Sequence, residues 1–321
     1  MATFLVPCPP FSPARKLFLM MEFVEDLFDL CDLQDIMAFA CSCRYIASQA
    51  QWYLRCKLNI LSAHFFNNAG DLAFILNACD AVISGSTALH FLLPIASTPW
   101  SPMDLDLYIF LRCQLQLGHL LKKRGYHLKK RGKSNISLYS ASKIFTVLTF
   151  TKVDKKVDVI VSSTDCAVLP IFQFHSTAVM NFITGNSIFC TYPSLTFCGL
   201  SMISASTLYN GSFSPVGMKA LLKYKQRGLA FVSCPTTHEF WFACKSANRS
   251  LTDDGCLWVD IDCVPRAGRR PENNFERFGI VDVNWALGGL LCGAPAAFVQ
   301  PYIRETCDDS CARIALAHLA I

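Results

Sequence analysis

The sequence predicts an α+β protein, in which a mixed β-sheet flanked by helices follows a small helical segment. Three observations support this fold class. Apolar residues recur at helical spacing over residues 22–58. From residue 80 onward, short apolar runs typical of strands alternate with helical patterns. The composition, 52% hydrophobic and 17% charged over 321 residues, is that of a chain with an extensive core.

Composition also limits the class of protein. A chain of 321 residues is long enough for one large domain with smaller appendages. The net charge of +5 is mild and does not by itself indicate a nucleic-acid partner. The best apolar window, residues 279–299, is interrupted by Asp282, Asn284 and Pro295, so we expect no membrane-spanning helix.

Seventeen cysteines are scattered along the chain without a Cys-x-x-Cys pair. The close pairs Cys41/Cys43 and Cys307/Cys311 lack further ligands at zinc spacing. Prolines within residues 7–13 interrupt the apolar N-terminus, which is therefore a poor secretory signal. We interpret the thiols as reduced core residues of an intracellular protein, cytoplasmic or nuclear. A disulfide scaffold is the alternative, although it is typical of short secreted chains.

The elements are expected in four segments. Residues 1–20 form an irregular leader, residues 21–58 form helices, residues 59–233 carry the sheet, and residues 234–321 form a β-rich extension. Within these segments we expect helices at 59–81, 85–93, 114–124, 176–183 and 216–227, and strands at 80–84, 104–111, 126–130, 137–139, 145–151, 156–161, 257–264 and 278–283.

Two carboxylates on one apolar strand are the first part of the most informative pattern. Asp104 and Asp106 are two positions apart, so on a strand their side chains leave from the same face, roughly 6.6 Å apart at the backbone. Two neighbouring anions repel each other and lose hydration, and a divalent cation removes both problems. Hard oxygen ligands of this kind suit Mg²⁺ or Mn²⁺. The alternative is that Asp104 merely begins the strand and Asp106 lies exposed at its edge.

A Gly-Ser turn just before this strand suits a phosphate group. Gly85 allows the backbone to turn sharply and to approach a ligand closely. Ser86 and Thr87 then stand at the start of a helix, where free N–H groups and the helix dipole favour an anion. A metal-binding strand beside such a turn predicts a site for a nucleoside triphosphate.

A third carboxylate is expected on a later apolar strand. Asp158 has a valine on either side and lies on such a strand. Asp154 lies close to it in the sequence and is the competing candidate, but it lacks those strand-forming neighbours. We therefore expect Asp104, Asp106 and Asp158 to converge in one cleft, with the backbone at 85–86 facing them.

These motifs resemble the nucleotidyltransferase-fold superfamily. The sequences GSTAL at 85–89 and DLDL at 104–107 look like its GGTAL…DLDLF branch, which includes bacterial antitoxin–toxin nucleotidyltransferases. The resemblance covers residues 75–230 and implies transfer of a nucleoside monophosphate from a triphosphate to an acceptor hydroxyl. One departure is the linker at 90–103, which is longer than is usual and contains three prolines. We interpret this linker as an insertion that shapes the substrate entrance.

The resemblance also assigns roles to residues. Asp104 and Asp106 would hold two Mg²⁺ (or Mn²⁺) ions about 3.5–4 Å apart. Asp158 would hold the ion that activates the acceptor hydroxyl, and Gly85 and Ser86 would hold the triphosphate. The alternative is a degenerate nucleotidyltransferase fold used as a binding module.

Residues 30–47 within the helical segment resemble the second half of an F-box, with an Asp-Leu start, an apolar helix and a Cys-Arg pair followed by an aromatic residue. The Leu-Pro start of that motif is missing, and Met-Glu-Phe-Val at 21–24 stands in its place. The combination with the following domain is similar to that of uncharacterised fungal proteins. A working F-box would expose Leu27, Leu30, Leu33 and Ile36 to a Skp-type adaptor of a ubiquitin ligase. The alternative is a helical pair packed on the next domain.

Seven lysines and arginines within residues 122–133 form a basic run. One interpretation is contact with a nucleic-acid backbone or a nuclear import signal. The alternative is a solvated helix end followed by a charged hairpin, since cations are favoured near a helix C-terminus.

His90 and His175 are interpreted as structural histidines.

Overall fold

An eight-stranded mixed sheet lies at the centre of the fold, and helices flank it. The computed structural model describes residue 17 and residues 19–133, 143–204, 215–232, 248–262, 281–290, 298–299 and 302–307. The strand predicted at 137–139 and most of the leader predicted at 1–20 lie outside these residues. Numbered along the chain, the strands lie in the spatial order Leu257–Asp260 (β11), Ser187–Cys190 (β7), Asn181–Ile183 (β6), Val82–Ser84 (β1), Leu105–Ile109 (β2), Lys155–Ser162 (β5), Ile144–Lys152 (β4) and His127–Lys133 (β3).

The pairing directions make this sheet mixed, as the sequence predicts. Strands β2 and β5 pair in parallel, whereas the other neighbouring strands pair antiparallel. Four helices precede the sheet: Met21–Asp29 (α1), Leu33–Ala40 (α2), Arg44–Phe65 (α3) and Asp71–Ala78 (α4). The later helices are Gly85–Leu92 (α5), Gln114–Lys123 (α6), Pro193–Thr196 (α7) and Pro215–Gln226 (α8).

The two faces of the sheet pack against different cores because alternate strand residues point to opposite sides. On β2, Leu105 and Leu107 join the larger core, which also contains the apolar residues of α1 to α4. The residue between Leu107 and Ile109, Tyr108, points to the other side and joins a second core with Ile160 of β5. The carboxylates of interest are therefore on the face opposite the N-terminal helices.

The N-terminal helices share the core of the sheet and do not form a separate unit. Phe28, Leu33 and Ile36 are buried in the same cluster as the sheet residues. Helix α3 is continuous over Arg44–Phe65, so it crosses the boundary predicted at residues 58 and 59. That boundary therefore does not separate two folded units.

The same holds for the boundary predicted at residues 233 and 234. Strand β11 belongs to the predicted extension, yet it is the edge strand of the central sheet beside β7. Val283 and Trp285 are fully buried in the second core with residues of β2 and β5. The described smaller strands are Leu200–Met202 (β8), Ala230–Val232 (β9), Arg249–Ser250 (β10), Val281–Ala286 (β12), Gly289–Leu290 (β13), Phe298–Val299 (β14) and Tyr302–Cys307 (β15).

The helix predicted at 176–183 is wrong. A short 3₁₀ turn occupies Thr177–Val179, and the next residues form β6 in the middle of the sheet. Asn181 explains part of this outcome, because its buried side chain donates to Ala178 O and accepts from Thr191 N across β7. Pairing with β1 and β7 outweighs the local helical pattern.

Among the described residues, no helix combines the length and apolar character needed to cross a bilayer. Among the described cysteines, Cys79 and Cys190 are fully buried as small apolar core residues, whereas Cys41, Cys43 and Cys198 are exposed, so the interpretation of the thiols as core residues holds for only part of them.

Candidate metal centre

The parallel pair β2–β5 sets the geometry of the acidic residues. Asp106 of β2 lies directly opposite Asp158 of β5 in the register of the pair. Asp104 is the residue just before β2 and lies two positions before Asp106. It therefore extends the same face of the sheet. Tyr108 and Ile160 continue this face as apolar residues, which places the carboxylates at the rim of the second core.

Three carboxylates converge at this rim. Asp104, Asp106 and Asp158 each offer an oxygen atom, and these atoms lie within 4.8 Å of one another. All three residues are half-buried, with side chains of Asp104 and Asp158 that are 28% and 16% exposed. The juxtaposition predicted from the turn–strand–strand order is therefore present, and the alternative that Asp106 lies exposed at a strand edge is not.

The acidic cluster raises the proton affinity of its innermost member. Burial first, and then the charges of Asp104 and Asp158, raise the pKa of Asp106 to about 7. This is the electrostatic cost that a bound divalent cation would remove, because the cation stabilises the ionised form of each ligand.

The raised pKa of Asp106 makes the stability of the metal-free protein depend on pH. Because the folded-state value of about 7 lies above the ordinary 3.8, the native state holds this proton more tightly than the unfolded chain does. The contribution of Asp106 is therefore most favourable below pH 3.8 and is lost as the pH rises toward about 7. We expect the free energy of unfolding to fall over this window by an amount on the order of 1–3 kcal/mol relative to Asp106→Asn.

Denaturant unfolding in a chelating buffer at a series of pH values measures this effect. A difference between the wild-type protein and Asp106→Asn that stays constant over the whole window would contradict it.

Lys156 supplies a positive charge that the sequence reasoning missed. Its Nζ lies 2.5 Å from Asp158 Oδ2 and 3.3 Å from Asp104 Oδ2. The signal was available, because Lys156 is two positions before Asp158 and so shares its face on β5. Thr149 of the neighbouring β4 donates a 2.7 Å hydrogen bond to Asp158 Oδ1 and fixes the other side of that carboxylate.

The Gly-Ser turn lies directly against the cluster. Ser84 of β1 is paired with Asp106, and the chain then passes into α5 at Gly85. Gly85 has a φ of +69°, and a Cβ atom added there would lie 2.6 Å from Asp106 Oδ2. Thr87 Oγ1 donates a 3.0 Å hydrogen bond to Asp104 O, which ties the start of β2 to α5. The backbone of Gly85 therefore lies directly beside one of the carboxylates.

Other candidate residues lie outside the cluster. Asp154 is 74% exposed and pairs with Lys155 at 3.6 Å, so it does not compete with Asp158. His90 is half-buried, with its ring 5.1 Å from that of Trp100. His175 is buried, and burial together with Lys223 lowers its pKa to about 4.

The basic run lies far along the sheet from the acidic cluster. Lys122 and Lys123 are exposed at the end of α6, whereas Arg124 pairs with Asp71 at 2.6 Å. The remaining cations lie on β3, the edge strand three places from β2. Exposed charges on an edge strand discourage pairing with another chain, which gives this run a structural role of its own.

The apolar patch predicted for the helical segment is divided between core and surface. Leu33 and Ile36 are each 1% exposed, whereas Leu30 is 66% exposed and Leu27 packs partly against the core. Two of the four side chains are thus unable to contact an adaptor without unfolding α2.

Comparison of this chain with protein-family models, curated proteins and solved structures found no match. The chemical interpretation of the site therefore depends on its own geometry.

Proposed function

We propose that the protein is a metal-dependent nucleotidyltransferase of the nucleotidyltransferase-fold superfamily. It would transfer a nucleoside monophosphate from a nucleoside triphosphate to a hydroxyl group of an acceptor. The observation that carries this proposal is the convergence of Asp104, Asp106 and Asp158 beside the positive-φ turn at Gly85. Three half-buried carboxylates in one small volume are unfavourable without a cation, and their oxygen atoms fit the preference of Mg²⁺ or Mn²⁺.

In this proposal the three carboxylates bind metal ions and the Gly-Ser turn binds the triphosphate. Asp104 and Asp106 hold the divalent cations, and Asp158 completes the ligand set from the neighbouring strand. The cations would neutralise charge on the triphosphate and lower the pKa of the acceptor hydroxyl. The backbone at Gly85 and Ser86, at the N-terminus of α5, orients the phosphates with its N–H groups.

A second candidate function rests on Lys156. Its ammonium group already bridges Asp104 and Asp158, so the cluster has an internal counter-ion without any metal. An inactive fold of the same type could serve as a binding module, with the exposed part of the helical segment contacting a ubiquitin-ligase adaptor. Metal binding distinguishes the two functions, since only in the enzyme must a metal ion replace the ammonium group of Lys156 as the partner of Asp104 and Asp158.

The test of the proposed function is a transfer screen with purified protein, each of the four labelled nucleoside triphosphates, and Mg²⁺ or Mn²⁺. RNA, proteins and small hydroxyl compounds serve as acceptors. Label transfer that disappears in Asp158→Asn and in a chelator supports the enzyme. Binding of neither metal nor triphosphate by the wild-type protein contradicts it and leaves the binding module.

Replacing Lys156 by Met should strengthen metal binding. Partly exposed ion pairs contribute about 0.5–1 kcal/mol, and a metal must break those of Lys156 to enter. We therefore expect the affinity for Mn²⁺ in the absence of nucleotide to rise about two- to fivefold, as measured by electron paramagnetic resonance titration.

The matched control for Lys156→Met is Lys155→Met. Lys155 is adjacent in sequence, but it pairs with Asp154 outside the cluster. Its replacement should leave Mn²⁺ affinity unchanged. Equal affinities in the two variants would show that Lys156 does not compete with the metal.

A further inference from the structure

Two cations at the end of α8 have no acidic partner among the described residues. Lys223 lies in the last turn of α8 and Arg227 follows the helix, so the two are four positions apart and share one side. Neither takes part in any ion pair of the described chain. Arg227 Nη1 is buried and has no hydrogen-bond partner within the part of the chain that the structure describes. A buried guanidinium nitrogen without an acceptor is costly, so this group is suited to an anionic ligand.

Aromatic rings hold the guanidinium group of Arg227 in place. Its Cζ lies 4.0 Å from the ring centroid of Trp100 and 5.4 Å from that of Tyr224. Trp100 belongs to the loop that leads to Asp104, and its ring contacts that of His90 on α5. These cation–π contacts hold the guanidinium group beside both rings.

The cations lie on the same side of the fold as the acidic cluster. Tyr224 packs with Leu89 of α5, the helix that begins at Gly85. Partial burial and then Arg227 lower the pKa of Lys223, which lies at the surface, whereas Asp104 and Asp106 act in the opposite direction. Arg227 and Tyr224 therefore lie beside α5 and the loop that leads to Asp104.

We propose that Lys223 and Arg227 form a second anion-binding subsite, which takes the β- and γ-phosphates of the nucleoside triphosphate. This inference depends on the proposed function for the identity of the ligand. In the transfer, the acceptor oxygen forms a bond to the α-phosphorus and its proton leaves to water. The bond from that phosphorus to the oxygen of the β-phosphate breaks with its electron pair, so pyrophosphate departs with increased negative charge. Lys223 and Arg227 stabilise this charge on the leaving group.

The subsite can be tested without metal by measuring the binding of inorganic triphosphate in a chelating buffer. Arg227→Gln and Lys223→Gln should each weaken binding about tenfold, as expected for the loss of one charge-assisted contact. The control is Lys225→Gln, which removes an exposed cation of the same helix two positions from Lys223 and so on another side. Lys223 is exposed, so its replacement should not affect folding and keeps the test valid if Arg227→Gln is unstable.

Equal affinities in Lys223→Gln, Lys225→Gln and the wild-type protein would overturn the subsite. A second measurement separates this outcome from failure of the proposed function. Mn²⁺ binding that requires Asp106 while triphosphate binding ignores Lys223 and Arg227 would refute only the subsite. Triphosphate binding that requires both cations, with Mn²⁺ binding indifferent to Asp106, would uphold an anion site and refute the enzyme.

Discussion

Replacing Asp106 by Asn should abolish metal binding while leaving the protein folded. Asp106 offers one of the three carboxylate oxygens of the cluster, and the change removes a charged ligand without changing the size of the side chain. We expect the affinity for Mn²⁺ to fall at least about 100-fold, beyond the 10- to 100-fold typical of losing a residue that only orients a ligand. Because burial and like charges penalise the ionised Asp106, the metal-free variant should be at least as stable as the wild-type protein at neutral pH. Titration calorimetry and thermal unfolding measure the two effects.

The control for this change is Asp154→Asn. It removes the same charge from an exposed residue that pairs with Lys155 outside the cluster. Its Mn²⁺ affinity should match that of the wild-type protein. Retention of wild-type affinity by Asp106→Asn would refute the metal site. An equal loss of affinity in both variants would show that the net charge of the protein, and not the position of Asp106, determines Mn²⁺ binding.

Replacing Gly85 by Ala should impair the site more than the fold. The positive φ of Gly85 alone costs an alanine about 1–2 kcal/mol. The new Cβ would also lie 2.6 Å from Asp106 Oδ2, so this carboxylate must rotate away from its position in the cluster. Ligands need to be held within about 0.5 Å of a productive geometry, so we expect Mn²⁺ affinity to fall at least about tenfold.

Gly228→Ala separates the two contributions. Gly228 also has a positive φ, +93°, but no atom lies within 4 Å of the position of its added Cβ. This variant should lose a similar free energy of unfolding and keep its metal affinity. If Gly85→Ala binds Mn²⁺ as well as Gly228→Ala does, the turn does not support Asp106.

The parts of the site that could be predicted are those encoded by local spacing. Alternation on a strand was enough to place Asp104 and Asp106 on one face, and the valines around Asp158 were enough to choose it over Asp154. The parallel register that sets Asp158 opposite Asp106 is a tertiary fact, and the sequence predicted only its consequence. Alternation also places Lys156 on the face of Asp158, but it does not indicate that the ammonium group contacts Asp104 of another strand segment.

Long-range packing determines what local patterns could not predict. Nothing near Arg227 indicates that its guanidinium stacks on Trp100, which is more than a hundred residues earlier in the chain. The segment at 176–183 shows the same limit. Pairing with β1 and β7 makes its last residues strand β6, whereas the local pattern alone favours a helix. The larger core likewise combines residues from the segments predicted at 21–58, 59–233 and 234–321, and no local pattern indicates this packing.

The unbroken helix α3 sets a fixed distance within the molecule. Its 22 residues span about 33 Å, from the N-terminal helices to the edge of the sheet. Its buried residues, including Ala50 and Leu58, belong to the same core as Leu105 and Leu107 of β2, so the N-terminal helices are packed against the sheet that carries the carboxylates. Any macromolecule that attached to the exposed side of α1 would therefore be delivered at one distance and one orientation. For the proposed transferase, distance rather than affinity would then decide which of its hydroxyl groups can approach the three carboxylates.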